Sequence, residues 1–418
     1  MSKKIVLCLL ALVFVLSTSL PCFAADGKTV IKVGIPLPLS GAMQNSGTLC
    51  KAGAEGALEY FKEHGGFVKH PEYDVEFDYA DLQSDASIAT TVAEKLINED
   101  KVQVLVGGYA GKLIAPMAQL AIKYQVPFLV SPGVPNSITA TDNDYVYRAN
   151  AGDALQTLTY LEFFKYLNTV KPIKNVGYVG LNDETGSSGR ALFLTVFDSI
   201  GAKLVVDESV QSGVADMSGV VQKIKANKVD LVVVYLTLNE ALLFQRQMKE
   251  YKCNAAVFSR GAGYLDSTFL SSAGNTADYV FSSTQWTAKT VDFLGDEAHK
   301  WYTRINELAG MEMNEASACM WLATSVMLQA LDNAETPDAE GIKNAIAATD
   351  LPQDNWALMW QVWYDGVKFE DNVENSWYNV NLSARSQLSQ VLNGQWTPVY
   401  PTALFGGDAN SPIVYPIP

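Results

Sequence analysis

The strongest constraint on this fold is a regular alternation of short β-branched segments with longer segments of helical period. One set runs from a strand at 30–35 to a strand at 127–131, and a second runs from a helix at 154–167 to a strand at 255–259. Strand followed by helix, repeated, predicts parallel sheets covered by helices on both faces. A single open sheet of so many strands would be unusually wide. The sequence therefore predicts an α/β protein with two doubly wound parallel-sheet lobes joined by hinge strands.

The chain changes character after residue 277. A strand at 279–283 is followed by three helical segments and then by short β pieces at 358–364 and 388–400. This return to helices predicts that the chain goes back to complete the first lobe and makes a final crossing near Tyr364. We expect a first lobe of residues 25–147 and 277–363, and a second lobe of residues 148–276 and 364–418.

The N-terminus has the pattern of a signal peptide over residues 1–24. Lys3 and Lys4 precede an apolar run at 5–16, and small residues end the segment at Ala24. The run is about a dozen residues long, whereas a bilayer span needs about 20, so we expect export and cleavage rather than a membrane anchor.

Three cysteines, Cys50, Cys253 and Cys319, lie beyond this segment. They allow at most one disulfide, whose pairing the sequence does not fix.

The charge balance restricts the partners. The chain has 45 acidic and 30 basic side chains, a formal net charge of −15. A nucleic-acid binder needs a cationic field to displace counterions, and an anionic membrane surface attracts basic segments. We therefore expect neither a nucleic-acid partner nor insertion into a membrane. With 48% hydrophobic residues, the chain is also too apolar to be disordered.

Patterns typical of catalysis are missing from the chain. Its three histidines, His64, His70 and His299, lie on or beside predicted helix ends, so a metal site or a Ser-His-Asp triad would lack its histidine. The serines at 185–190 do not fit Gly-x-Ser-x-Gly, and no Gly-Lys-Ser/Thr phosphate loop occurs. The sequence predicts a protein that is not an enzyme and that has no cofactor and no metal.

Ligand-binding loops are expected at the carboxyl ends of the predicted strands, where doubly wound sheets form their crevice. Six loops meet this condition, at 36–46, 107–112, 131–135, 181–188, 236–240 and 260–264. In a two-lobed protein these loops face each other across a cleft.

Four segments carry a resemblance to a known family. They are Val33-Gly34-Ile35-Pro36-Leu37-Pro38-Leu39-Ser40-Gly41, Val106-Gly107-Gly108, Val126-Pro127-Phe128-Leu129-Val130-Ser131-Pro132 and Asn393-Gly394-Gln395-Trp396-Thr397-Pro398-Val399-Tyr400-Pro401. Together and in this order they resemble the leucine/isoleucine/valine-binding-protein family, over nearly the whole chain after the signal peptide. The resemblance implies the type I periplasmic-binding-protein fold, a periplasmic location, a small-molecule ligand, and an inner-membrane ABC permease with its ATPase as partner.

The ligand is less clear from this resemblance. At the positions where the amino-acid binders carry a Ser, a Thr and an aromatic residue, this chain has Gly111, Pro135 and Gly186. Only the acidic residue that would receive an α-ammonium is matched, by Glu240. These departures weaken an amino-acid assignment.

Physical chemistry suggests roles for ten candidate ligand-binding residues. They are Ser40, Tyr109, Gly111, Lys112, Ser131, Gly133, Asp183, Glu240, Arg260 and Trp286. Backbone N–H groups of the loops at 107–112 and 131–134 suit a carboxylate, with Lys112 adding positive charge. Ser40 and Ser131 could donate hydrogen bonds, and Tyr109 and Trp286 could stack on the apolar part of a ligand. Arg260 could pair with the ligand or across the cleft.

Structural alternatives stand beside these roles. Lys112 fits a solvated first-turn lysine, Asp183 a solvated loop end, Glu240 a helix-capping carboxylate and Trp286 a core residue. The sequence as a whole predicts a monomeric receptor that captures a small carboxylate-bearing molecule, an amino acid or a related organic or aromatic acid or amide, by hinge closure. A sensing module that feeds a membrane receptor and a secreted enzyme on a two-lobed scaffold are the alternatives.

Overall fold

The computed structural model describes residues 27–133, 135–260, 262–266 and 268–418, and the predicted signal peptide at 1–24 lies outside them. The strands are β1 Thr29–Leu37, β2 Tyr73–Asp81, β3 Val104–Gly108, β4 Phe128–Ser131, β5 Val146–Arg148, β6 Asn175–Leu181, β7 Lys203–Val210, β8 Leu231–Tyr235, β9 Ala256–Ser259, β10 Phe281–Thr284, β11 Asp350–Pro352, β12 Gly366–Asn372, β13 Trp377–Asn381, β14 Gln387–Leu392 and β15 Gln395–Tyr400. The helices are α1 Gln44–Glu63, α2 Ala86–Asn98, α3 Gly111–Tyr124, α4 Asp153–Val170, α5 Glu184–Ser199, α6 Ser218–Ala226, α7 Leu238–Glu250, α8 Ala262–Leu265, α9 Phe269–Ala273, α10 Asp296–Ala309, α11 Glu315–Asn333 and α12 Ala339–Ala347.

These strands form two sheets, one in each lobe. The first has eight strands in the order β11-β12-β13-β5-β4-β3-β1-β2, and the second has seven in the order β15-β14-β10-β9-β8-β6-β7. The strands of each sheet centre are parallel, with Val33 beside Phe77 and Val232 beside Val257. In the described part of the chain, antiparallel pairs occur at one edge of each sheet, where β12 pairs with β11 and β13, and β14 with β10 and β15. The predicted two-lobed α/β fold is confirmed.

Both faces of each sheet are buried, as expected for parallel sheets. Side chains alternate along a strand, so Val232 and Val234 of β8 enter the core on one face and Leu231 and Val233 the core on the other. In the first lobe, α1 and α11 pack so closely that a Cβ at Gly53 would lie 2.3 Å from the carbonyl oxygen of Ser317. This approach fixes the covering helices on that face.

The chain crosses between the lobes three times, and two crossings come later than the sequence predicted. The first crossing, at 149–152, follows β5. The second follows Thr284 rather than residue 276, because β10 completes the second sheet. The third follows Asn381 rather than Tyr364, because the β12–β13 hairpin extends the first sheet beside β5. The boundaries expected at 277 and 364 are corrected accordingly.

Cys50, Cys253 and Cys319 are free thiols. Burial raises the pKa of the Cys50 and Cys319 thiols, which keeps both protonated at neutral pH. Within the described ranges, no helix is both long enough and apolar enough to cross a membrane.

Candidate functional site

The first lobe presents unpaired backbone donors where β3 turns into α3. Gly107 and Gly108 have φ of 123° and 100°, a region that favours glycine, and Tyr109 follows with φ 66°. The Tyr109 N–H donates to the carbonyl oxygen of Ser131 at 2.9 Å, which ties this turn to the end of β4. Among the described residues, no acceptor bonds the N–H groups of Gly111 and Lys112 at the start of α3. Two donors and the positive end of the helix dipole therefore lie at this edge of the sheet.

A buried arginine holds the loop after β4 by two hydrogen bonds. Arg148 donates from Nη1 to the carbonyl oxygen of Gly133 at 2.8 Å and from Nη2 to that of Pro135 at 2.7 Å. Burial lowers the pKa of Arg148 to about 10, so it stays charged at neutral pH. The Ser131 hydroxyl is buried and has no partner within the described residues. This loop is therefore fixed in place, with one hydroxyl still available as a donor.

In the second lobe, Arg260 follows β9. Its Nη2 donates to Oδ1 of Asp153 at 3.1 Å, and its guanidinium carbon lies 5.9 Å from the centre of the Tyr160 ring. In the part of the chain that the structure describes, the other guanidinium N–H groups have no acceptor, and the side chain is 24% exposed. Burial raises the pKa of the Asp153 carboxyl, although the charges of Arg260 and Arg148 oppose this. Arg260 can therefore donate to a further acceptor.

Glu315 brings a negative charge from the first lobe towards Arg260. Its Oε2 accepts from the backbone N–H of Gln285 at 2.8 Å and from the hydroxyl of Thr284 at 2.9 Å. Burial lowers the pKa of Arg260, but nearby acidic groups outweigh burial and raise it. Those groups are Tyr160, Tyr235, Asp153 and Glu315. The negative charge of Glu315, in the first lobe, is thus one of those that raise the pKa of Arg260 in the second.

Glu240 is engaged inside the second lobe. It is 2% exposed. Its Oε1 accepts from the N–H of Gly213 at 2.7 Å, and its Oε2 accepts from the Thr237 hydroxyl. Burial alone would raise the pKa of this carboxyl, but the hydrogen bonds of Thr237 and Gly213 outweigh burial and lower it. The carboxylate joins the start of its own helix, α7, to the loop at Gly213.

Of three other candidates, one is exposed and two form local hydrogen bonds. Lys112 is exposed, and the pKa of Asp85 is lowered first by hydrogen bonds from Ser87 and then by the Lys112 charge. Asp183 is exposed and caps α5 by accepting from the Gly186 N–H at 2.8 Å. Ser40 donates its backbone N–H to Oδ1 of Asp81 at 3.1 Å.

The aromatic candidates differ in burial. Tyr109 is half-buried, and burial raises the pKa of its hydroxyl. Trp286 is 1% exposed and packs against Trp360 at a centroid distance of 5.9 Å. Trp286 also lines a cavity of about 710 Å³ beside the second crossing, which we call the hinge-side cavity. Its walls come from both lobes.

The structure thus places the α3 N-terminus and the loop after β4 at strand ends of the first lobe, and Arg260 at a strand end of the second. Sequence reasoning missed Glu315 and Asp153. Asp153 follows directly on a predicted crossing, which was a usable signal. No sequence signal pointed to Glu315, because an acidic residue in the first turn of a helix is favourable without any ligand.

Comparison with known proteins decides the family. The family model described as "Periplasmic binding protein" matches residues 30–359. The chain belongs to the periplasmic binding protein family. It is 25% identical over 395 residues to the Leu/Ile/Val-binding protein homolog 7 of Brucella abortus (strain 2308), covering 91% of this chain and 94% of the relative.

Solved structures of such binding proteins share the fold. The substrate-binding protein LivJ of Streptococcus pneumoniae, in complex with isoleucine, has a TM-score of 0.66 at 19% identity, covering 89% of this chain and 99% of that one. A solute-binding protein of Rhodopseudomonas palustris BisB5, in complex with 3,4-dihydroxybenzoic acid, has a TM-score of 0.63 at 18% identity, covering 88% and 96%. The family and these neighbours are solute-binding proteins rather than enzymes, and the chain is a ligand-binding receptor.

Proposed function

We propose that this chain is the periplasmic receptor of an ABC importer, and that it captures a small carboxylate-bearing molecule between its lobes. The observation that carries the proposal is a set of donors at strand ends of both lobes that have no acceptor among the described residues. The N–H groups of Gly111 and Lys112 lie on the first lobe, and the guanidinium of Arg260 lies on the second. Donors of this kind suit a carboxylate, and an ionised acceptor makes each hydrogen bond stronger.

The ligands of the solved neighbours support this class. Isoleucine and 3,4-dihydroxybenzoic acid differ in size and in their remaining polar groups, but both carry a carboxylate. The ligand of this chain is an amino acid or a related organic or aromatic acid. Because both oxygens of Glu240 already accept hydrogen bonds inside the protein, an ammonium at Glu240 is not required of that ligand.

The other candidates take supporting roles in this site. The Ser131 hydroxyl donates to the ligand, and the loop through Gly133 holds it there. Tyr109 covers the apolar part of the ligand, and Lys112 contributes its N–H rather than its exposed ammonium. Ser40 and Asp183 border the mouth of the cleft.

Capture works by hinge closure. A ligand that contacts both lobes stabilises the closed state by the difference between its affinities for the closed and open states. The closed receptor, a monomer in the periplasm after removal of residues 1–24, then docks on an inner-membrane permease with its ATPase.

A thermal-shift panel tests the ligand class. Isoleucine, leucine and 3,4-dihydroxybenzoate are compared with their methyl esters, which remove the carboxylate charge and add one methyl group. We expect at least one acid to raise the melting temperature and its ester to leave it unchanged. Esters that stabilise as well as their acids would contradict the carboxylate assignment, and a flat response to the whole panel would count against these ligand classes.

A further inference from the structure

The residues that line the hinge-side cavity include none of the strand-end donors Gly111, Lys112 and Arg260, and they have a different chemistry. It has a volume of about 710 Å³, within the range of small-molecule pockets. Leu265 and Leu270 of the second lobe face it from one side, and Met313 and Tyr302 of the first lobe from the other. The tip of the β14–β15 hairpin adds Trp396. An occupant would therefore contact both lobes.

The charges around this cavity are mostly negative. Lys289 is the one lysine or arginine among its described lining residues, and its Nζ lies 3.0 Å from Oδ2 of Asp292. Glu312 accepts a hydrogen bond from the Tyr302 hydroxyl at 2.9 Å, and neither Glu312 nor Glu315 forms an ion pair with any described residue. Two carboxylates thus remain without a cationic partner in contact.

The Glu315 carboxylate is fixed in a position from which it can accept a further hydrogen bond. The Gln285 N–H and the Thr284 hydroxyl both donate to Oε2, which fixes the carboxylate against the second crossing. No described residue donates to Oε1. Arg260 is hydrogen-bonded to Asp153 and forms no ion pair with Glu315 among the described residues. A positively charged group in the cavity would give Glu315 a direct partner.

The aromatic walls suit the same kind of ligand. Trp396 is half-buried and Trp286 is buried, and both rings line the cavity. Aromatic rings attract cations, and ligand pockets combine apolar walls with a few convergent polar groups. Carboxylates together with aromatic walls favour a cation over an anion.

We propose that the hinge-side cavity is a second binding site, which takes an ammonium group carried on an apolar or aromatic frame, with Glu315 as its charge partner. This site does not depend on the carboxylate of the ligand in the strand-end cleft. It goes beyond the proposed function, because it assigns a separate site to a separate chemical class.

Calorimetric titration of the full chain with two matched probes tests the site. Phenylethylamine carries the ammonium, and 2-phenylethanol is its neutral analogue. We expect phenylethylamine to bind at least tenfold more tightly than 2-phenylethanol. Equal binding of the two probes, or no measurable binding of the amine, would overturn the proposal.

Two variants locate the binding. Glu315→Gln keeps an oxygen that can accept from Gln285 and Thr284 but removes the charge, and we expect about 10- to 100-fold weaker amine binding. Glu340→Gln, a matched change in the first turn of α12, should leave it unchanged. Amine affinity unaltered by Glu315→Gln would contradict the assignment.

The proposals for the two sites can be overturned independently of each other. If acids compact the protein and the amine does not bind, the strand-end proposal stands and the cavity proposal is overturned. If the amine binds and no acid of the panel does, the cavity proposal stands and the strand-end proposal is overturned.

Discussion

The side-chain amide of Asn150 donates to Oε1 of Gln285 at 3.2 Å, which joins the first and second crossings between the lobes. The same nitrogen donates to the carbonyl oxygen of Pro132 at 3.0 Å, in the loop after β4. All of these contacts are buried. The candidate ligand loop and two hinge segments therefore share one polar network, so a shift of this loop is felt at the hinge.

Removal of this amide should destabilise the fold. Asn150→Leu has a similar volume but leaves the buried Gln285 oxygen without its donor, which costs about 1–3 kcal/mol. Unfolding in urea measures the change, with the exposed Asn239→Leu on α7 as control. A loss no larger than that of the control would show that the network contributes nothing to stability.

Two glycine-to-alanine substitutions should change the free energy of unfolding in opposite directions. One lies where α1 and α11 approach closely, and the other lies in open space. Gly53→Ala places a methyl group against the Ser317 backbone, and such overpacking costs about 1–3 kcal/mol. Gly219→Ala on α6 meets nothing within 4 Å, and alanine should stabilise that helix by about 0.4–1 kcal/mol. Thermal unfolding of both variants checks the signs. A Gly53→Ala variant at least as stable as wild type would contradict the close spacing of the two helices.

Glu240 predicts a pH dependence of stability. The pKa of its carboxyl is lowered on folding, so its contribution is complete above the ordinary value of 4.5 and is lost as pH falls through the folded value. Glu240→Gln should lower the free energy of unfolding by about 1.5–3 kcal/mol at neutral pH. This difference from wild type should shrink below about pH 4.5. Urea unfolding of both proteins between pH 7 and pH 3 measures this difference. A gap independent of pH would contradict the assigned hydrogen bonds.

Arg260 should matter to ligand affinity separately from stability. Arg260→Met removes the donors and is expected to weaken an acid ligand at least about tenfold. It also leaves the Asp153 carboxyl without its partner, so the double variant with Asp153→Asn should recover stability but not affinity. Arg190→Met, which breaks the exposed pair with Asp207, is the control. Recovery of affinity in the double variant would show that Arg260 acts only through Asp153.

The regular parts of this fold follow from local pattern. Repeated strand–helix units and buried alternation predicted both lobes, because each unit carries its own periodicity. The third crossing was misplaced because β12 and β13 are short and polar, with a register shift between Glu370 and Asn372. The predicted β piece at 358–364 is wrong. A short 3-10 turn at Trp356–Leu358 leads there into core residues such as Trp360, so apolar composition alone was misleading.

The candidate site was less predictable than the fold. Strand ends identify the loops, so Arg260 and the start of α3 could be named from sequence. The direction of a side chain depends on contacts between distant segments, as for Lys112, which lies near Asp85 rather than at an established ligand contact. The same limit hid Glu315, whose carboxylate is positioned by Thr284 and Gln285.

Small-angle X-ray scattering tests the central claim most directly. The measurement compares the radius of gyration of the protein alone, with a saturating acid from the panel, and with the methyl ester of that acid. We predict that the acid reduces the radius of gyration and that the ester does not. A radius of gyration unchanged at saturation by a bound acid would contradict capture by closure of the two lobes.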